Sequence, residues 1–198
     1  MPAYEFEGVR PVVDPSAFVH PTAVLIGDVI IGPGCLVGPG ASLRGDIGQL
    51  VMHEGSNVQD GCILHCFPGK DVIIEANGHV GHGAILHGCT IKRNALIGMN
   101  SVIMDDAVIG ENSFVGALSF VKAGFEVPAN SLVAGIPAKV IRELKESEIH
   151  WKTQGTGVYQ SLAQQYLATM SEVDPLSEVP SDRARVPLHD YVPKHEQS

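Results

Sequence analysis

An aliphatic residue recurs at every sixth position through most of this chain, and a period of six admits few folds. Val19, Leu25, Ile31, Val37 and Leu43 stand six apart, and a smaller side chain follows each of the first four by four residues: Ala23, Val29, Cys35 and Ala41. The pattern pauses over residues 44–51, resumes at Met52, Val58 and Leu64, breaks, and returns at Ile74, Val80 and Leu86. After one shortened step it runs through Ile91, Ile97, Ile103, Ile109, Val115 and Val121. Ser56, Cys62, Ala84, Ala95, Ser101, Ala107, Ser113 and Ser119 fill the small position in these later runs. Six is neither the period of a helix nor that of a plain strand. Self-similarity at a fixed period marks a repeat architecture.

Gly32-Pro33-Gly34, Gly38-Pro39-Gly40 and Gly110-Glu111-Asn112 punctuate the aliphatic positions with turns. Short strands joined by turns, with one aliphatic and one small residue inward per face, describe a triangular solenoid with three hexads to the coil. Stacked coils then bury a continuous core that one coil lacks. A helical reading fails on glycine density, since each interior Gly is about 1 kcal/mol worse than Ala. The fold class expected is an all-β solenoid, a parallel β-helix over residues 1–139. Handedness does not follow from the period, because ordinary parallel crossovers are right-handed in about 98% of cases.

The character changes after Pro137-Ala138-Lys139. Residues 140–170 carry helical spacing (Val140, Ile141, Leu144, Ile149, then Tyr159, Leu162, Tyr166, Leu167, Met170), with a break expected at Gly155-Thr156-Gly157. Two helices packed along the solenoid are predicted, with Trp151 as an anchor in that packing. Residues 171–198, rich in Pro and charge, read as an extended or disordered tail.

A net charge of -9 argues against a nucleic-acid partner, which needs a basic patch. No stretch approaches the ~20 apolar residues of a membrane span. Met1–Arg10 carries Glu5 and Glu7 and no apolar segment, so it is no secretory signal. A cytoplasmic protein is expected. Cys35 and Cys62 take the inward small position and Cys89 lies near it, as buried hydrophobes. Cys66 follows His65 without an activating partner in the local sequence.

Three histidines interrupt the repeat without being needed for it. His65 and His87 each follow an inward aliphatic residue, Leu64 and Leu86, so both project outward from equivalent places one coil apart. His82 falls two residues after Val80 and faces another way. Three neutral imidazoles make a three-ligand zinc site with a fourth position for water. If His82 cannot turn toward the other two, a neighbouring chain completes the site, and a closed homotrimer is the economical arrangement. His20, His53, His79, His150, His189 and His195 read as bystanders.

Asn57-Val58-Gln59-Asp60 before His65, and Gly81-His82-Gly83-Ala84-Ile85-Leu86-His87-Gly88, carry a resemblance to the γ-class carbonic anhydrase-like hexapeptide proteins. That resemblance covers nearly the whole chain and implies a left-handed β-helix and a trimer. It assigns His65, His82 and His87 as zinc ligands, with His82 supplied across the interface. It makes Arg44, Asp46 and Asp60 interfacial or supporting residues, and Asn57 and Gln59 the polar lining of the metal pocket. Within the family, Ala117–Ala123 resembles both the phenylacetate-degradation and the carnitine-operon members, and Pro128-Ala129-Asn130 and Trp151–Tyr159 look more like the phenylacetate-degradation members.

Zinc-bound hydroxide attacks electrophilic carbon at neutral pH, with Gln59 and Asn57 orienting nucleophile or carbonyl. The loop after His65, Cys66-Phe67-Pro68-Gly69-Lys70-Asp71, lacks the glutamate proton shuttle of the archetypal anhydrases. The resemblance therefore points first to a thioesterase acting on acyl-CoA intermediates of phenylacetate breakdown. Phe67 and Lys70 are its possible substrate contacts. CO2 hydration, with bicarbonate as product, and a non-catalytic accessory role in a CoA-thioester pathway are the alternatives. Three imidazoles accept Zn2+, Fe2+ or Co2+ alike.

Overall fold

Each hexad folds as a two-residue strand and a turn: Leu96–Ile97, Val102–Ile103, Val108–Ile109, Phe114–Val115 and Phe120–Val121 follow one another at regular intervals. Val102 pairs with Phe120 and Leu96 with Phe114, parallel and eighteen residues on, so three hexads close one coil. A computed structural model of the chain, describing residues 2–186 and 191–196, shows these coils stacked as a left-handed parallel β-helix with one C-terminal helix. Strands Val24–Ile31 and Ser42–Met52 run continuously round a corner and join two faces into a 12-stranded sheet; the third face is an 8-stranded sheet.

The inward positions are those the period marks. Leu25, Val37, Leu43, Val58, Ile74, Val80, Leu86, Ile91, Ile97, Ile103, Ile109 and Val121 stack in one continuous core with the small residues between them. Interruptions in the sequence pattern are changes of coil length. Val37 pairs with Val58 and Val58 with Val80, so both of these coils are longer than the regular one. Their extra residues lie in Ser42–Met52 and in the loop after His65. Ile73 pairs with Thr90, one position short of a regular coil, which is the shortened step. One corner is held by asparagines in the left-handed region: Asn94 Nδ2 donates to Asn112 Oδ1 (2.8 Å) and Asn112 Nδ2 to Asn130 Oδ1 (3.0 Å). Asn tolerates that backbone conformation better than most L-residues.

The C-terminal segment departs from the expectation in two places. Val140 and Ile141 belong to strand Ala138–Glu143, antiparallel to Ser131–Gly135, and both are exposed. Their spacing satisfies a strand as well as a helix, and pairing decides. A single helix, α1 (Glu146–Thr169), then runs without the break expected at Gly155-Thr156-Gly157. Gly155 and Thr156 are buried there, so packing outweighs the weak propensity of the pair. A Cβ on Gly155 would stand 2.5 Å from Tyr191 Oη, so glycine makes room for that ring.

Glu148 starts α1 by accepting from the Lys145 backbone N–H (2.9 Å) while the Arg142 fork holds both its oxygens (2.7 and 2.9 Å). Trp151 stacks on Tyr191 (5.6 Å between centroids) and its Nε1 donates to the Val192 carbonyl (3.0 Å). Residues 171–186 are exposed and form neither helix nor strand, and Lys194–Glu196 form a short 3-10 helix. The tail expectation at residues 187–190 and 197–198 falls outside the described residues, as does His189. Among the described residues, no helix is long and apolar enough to cross a membrane.

Candidate functional site

Strands Ile63–His65 and Ile85–His87 pair in parallel with His87 directly opposite His65. Leu64 and Leu86 point into the core, so alternation sends both imidazoles outward on the 12-stranded sheet. Their ring centroids lie 5.4 Å apart. A carboxylate orients each ring. His65 Nε2 lies 3.0 Å from Asp46 Oδ1, and the other Asp46 oxygen accepts from Arg44 Nη1 at 2.7 Å. His87 Nδ1 lies 2.8 Å from Asp105 Oδ1. His65 Nδ1 and His87 Nε2 are thereby left without a hydrogen-bond partner among the described residues. Partial burial raises the Asp46 pKa, but hydrogen bonds from Arg44 and His65 outweigh it and hold the carboxyl below its ordinary value.

The loop after His65 folds back over this pair. Phe67 meets the His87 ring edge-on at 4.9 Å. Lys70, read from sequence as a possible substrate contact, donates to both oxygens of Asp106 (2.7 and 2.9 Å), two coils away. That bond first, and the charge behind it, raise the Lys70 pKa above the usual lysine value. The pair tethers the loop to the later coil.

Asn57 and Gln59 stand elsewhere in the chain. They lie on and beside the strand Asn57–Val58 of the 8-stranded sheet, under α1. Gln59 Nε2 bonds Asn57 Oδ1 (3.1 Å) and meets His79 Nε2 (2.7 Å), and His79 Nδ1 reaches Thr156 Oγ1 (3.3 Å). Desolvation under α1, with smaller contributions from Lys152 and His82, pushes the His79 pKa down to about 3. His79 is thus an integral part of a buried polar chain. Asn57 Nδ2 has no partner among the described residues.

His82 sits at an exposed turn, its Nδ1 2.5 Å from Asp60. Among the described residues of one chain, no group of three or more His, Cys, Asp or Glu side chains is arranged to hold a metal ion. The structure therefore brings His65, His87, Arg44, Asp46 and Phe67 together, and pairs His82 with Asp60 and Gln59 with Asn57 outside that group, with Gln59 and Asp60 lining one cleft. Sequence reasoning missed Asp105. It stands eighteen residues after His87, one undisturbed coil, and that spacing is the signal that would have found it. All four cysteines are buried and free, and burial raises their pKa values.

Comparison with known proteins adds the following. The family model described as bacterial transferase hexapeptide (six repeats) matches residues 10–45 and 88–123. The carnitine operon protein CaiE of Salmonella newport (strain SL254) is 56% identical over 186 residues, 94% of each chain. A putative acetyltransferase of Bacillus cereus is 38% identical with a TM-score of 0.83, covering 84% of this chain and 96% of its own. A hexapeptide transferase family protein of Anaplasma phagocytophilum is also 38% identical, with a TM-score of 0.81, covering 83% and 98%.

These matches correct the functional expectation. Three converging histidines read as a zinc-dependent thioesterase, with CO2 hydration or an accessory role as alternatives. The family model and both solved structures are named for group transfer, not hydrolysis. Within one chain His82 stands apart from His65 and His87, as its position off their register leads one to expect. The expected likeness to carnitine-operon proteins is met, whereas none of the relatives named above is a carbonic anhydrase or a phenylacetate-degradation protein.

Proposed function

Because this chain belongs to the bacterial hexapeptide-repeat transferase family, alongside the CaiE proteins, we propose that it transfers an acyl group from a CoA thioester to a small hydroxyl or amine acceptor. The observation that carries this reading is the His87–Asp105 pair. With the Asp105 carboxylate on Nδ1, that nitrogen holds the ring proton and Nε2 presents a lone pair. The acceptor O–H or N–H gives its proton to Nε2 as its heteroatom attacks the thioester carbonyl. Collapse of the adduct breaks the C–S bond, and the departing thiolate takes the proton from Nε2. Phe67 shields one edge of the ring, and the Lys70–Asp106 tether holds the loop that carries it.

A second reading rests on the register of His65 and His87, each fixed by a carboxylate as metal-binding histidines commonly are. Two imidazoles of one chain fit a divalent cation, Zn2+ or alternatively Fe2+ or Co2+, and His82 of a second copy supplies the third in a homotrimer. The bound cation would supply Lewis-acid polarisation of a carbonyl for the same transfer. We place the protein in the cytoplasm, where CoA thioesters are formed and used.

The test follows thiol release from acetyl-CoA and longer acyl-CoA thioesters, with and without acceptors that include carnitine, beside a chelator-treated sample. Acceptor-dependent release that survives the chelator supports the base reading, and release lost with the metal supports the second. Release that ignores every acceptor contradicts both.

A further inference from the structure

A cavity of about 360 Å3 lies between α1 and the 8-stranded sheet, on a different sheet from His65 and His87. His79 and Leu96 form its floor, Trp151, Val158 and Tyr159 reach into it from α1, and Tyr191 closes it from the C-terminal segment. Partly open to solvent, it lies within the ~300–1,000 Å3 of small-molecule sites.

The walls specify the guest. Tyr159 meets His79 edge-on at 5.0 Å, and Tyr191 stacks on Trp151 with 24° between their planes. Aromatic faces and edges arranged this way favour a flat ring. Tyr191 itself shows that a six-membered ring fits against Trp151 and Gly155. The hydroxyls of Tyr159 and Tyr191 hydrogen-bond to none of the described residues. Burial raises both phenol pKa values, that of Tyr191 to about 12, so both remain donors. The cavity also lacks a countercharge. No carboxylate lines it among the described residues. The amine of Lys152 is turned to the Asn77 carbonyl and Asn94 Oδ1, each at 2.7 Å, and desolvation keeps His79 neutral.

We propose that this cavity is a second ligand site, for a neutral molecule of one or two aromatic rings bearing a hydrogen-bonding substituent. The segment carrying Tyr191 is its removable wall. That segment is held by the Val192 carbonyl on Trp151 Nε1 and by Lys194 on Glu148, contacts that can open without disturbing a coil of the prism.

Trp151 is the chain's one tryptophan, so its emission reports this site alone. The full chain is titrated with 4-nitrobenzyl alcohol, whose ring quenches indole emission on contact. Saturable quenching is expected, at least tenfold weaker for charged 4-nitrobenzoate. Val158→Phe, which fills the cavity, should weaken binding of the alcohol at least tenfold, whereas His87→Gln should leave it unchanged. Linear quenching without saturation overturns the proposal, as does equal affinity for the benzoate. Should Val158→Phe fail to fold, nuclear Overhauser contacts in the wild type decide. Contacts between the ring protons of the alcohol and the methyls of Leu96 and Val158 support the site, and their absence overturns it.

Discussion

Lys152, on the inner face of α1, and His79, beneath that helix, are both buried, and desolvation lowers the pKa of each, Lys152 to about 7 and His79 to about 3. For a base whose folded pKa lies below the unfolded value, the unfolded chain holds more protons between the two. Stability therefore rises with pH across that window. For Lys152 the window runs from about 7 to the ordinary 10.5, and for His79 from about 3 to the ordinary 6.5. Lys152→Met removes the first contribution while leaving the Asn77 carbonyl and Asn94 Oδ1 without their donor. In urea unfolding, the wild type should gain about 3 kcal/mol on the variant between pH 7 and pH 9.5, at ~1.4 kcal/mol per pKa unit. A pH-independent difference contradicts this placement of the amine. Neither residue was legible as buried. His79 stands at a turn-flanked position in a polar stretch, and only its register with Asn57, one lengthened coil back, brings it beneath a helix from far along the chain. His65 and His87 were legible because both follow an inward leucine.

At the scale of elements, α1 shows where local rules lose to packing. Gly155-Thr156-Gly157 reads as a helix break, yet buried contacts carry the helix through it. Gly155→Ala should raise intrinsic helix stability by ~1 kcal/mol while crowding Tyr191 Oη out of its seat. Trp151 emission should shift with little loss of melting temperature, and an unchanged emission spectrum contradicts the seating of Tyr191. At the start of α1, Glu148→Gln leaves the Arg142 fork and Lys194 facing a neutral amide. Glu148 is buried while Arg142 and Lys194 are partly exposed, so the variant loses stability by a solvent-screened amount. Arg142 first, despite opposing desolvation, holds the Glu148 carboxyl well below the usual range. That contribution is complete above the ordinary carboxyl pKa of 4.5 and is lost as pH falls below it. The wild type and variant should therefore converge in denaturant midpoint at strongly acidic pH.

For the whole molecule, the prism was the most legible level, because a period of six encodes both its strands and its core. Even the pauses carried information, as two lengthened coils and one shortened coil. The site was legible only in part. His65 and His87 sit where the repeat puts them, but Asp105 and Phe67 join them through coil stacking and a loop whose path no period describes. If the metal reading holds, His65→Ala and His82→Ala chains should each lose metal alone. Mixed and reassembled, they should recover some, since the two lesions fall on different sides of one interface. Recovery of none contradicts a shared site.

The central claim is that His87, poised by Asp105, serves acyl transfer. Mass spectrometry of wild-type and His87→Gln reactions containing an acyl-CoA and an acceptor tests it most directly. The account predicts acylated acceptor in the wild type and ~10²–10⁴-fold less in the variant, the usual worth of a general base. Free acid as the sole product, or equal yield from both proteins, would contradict it.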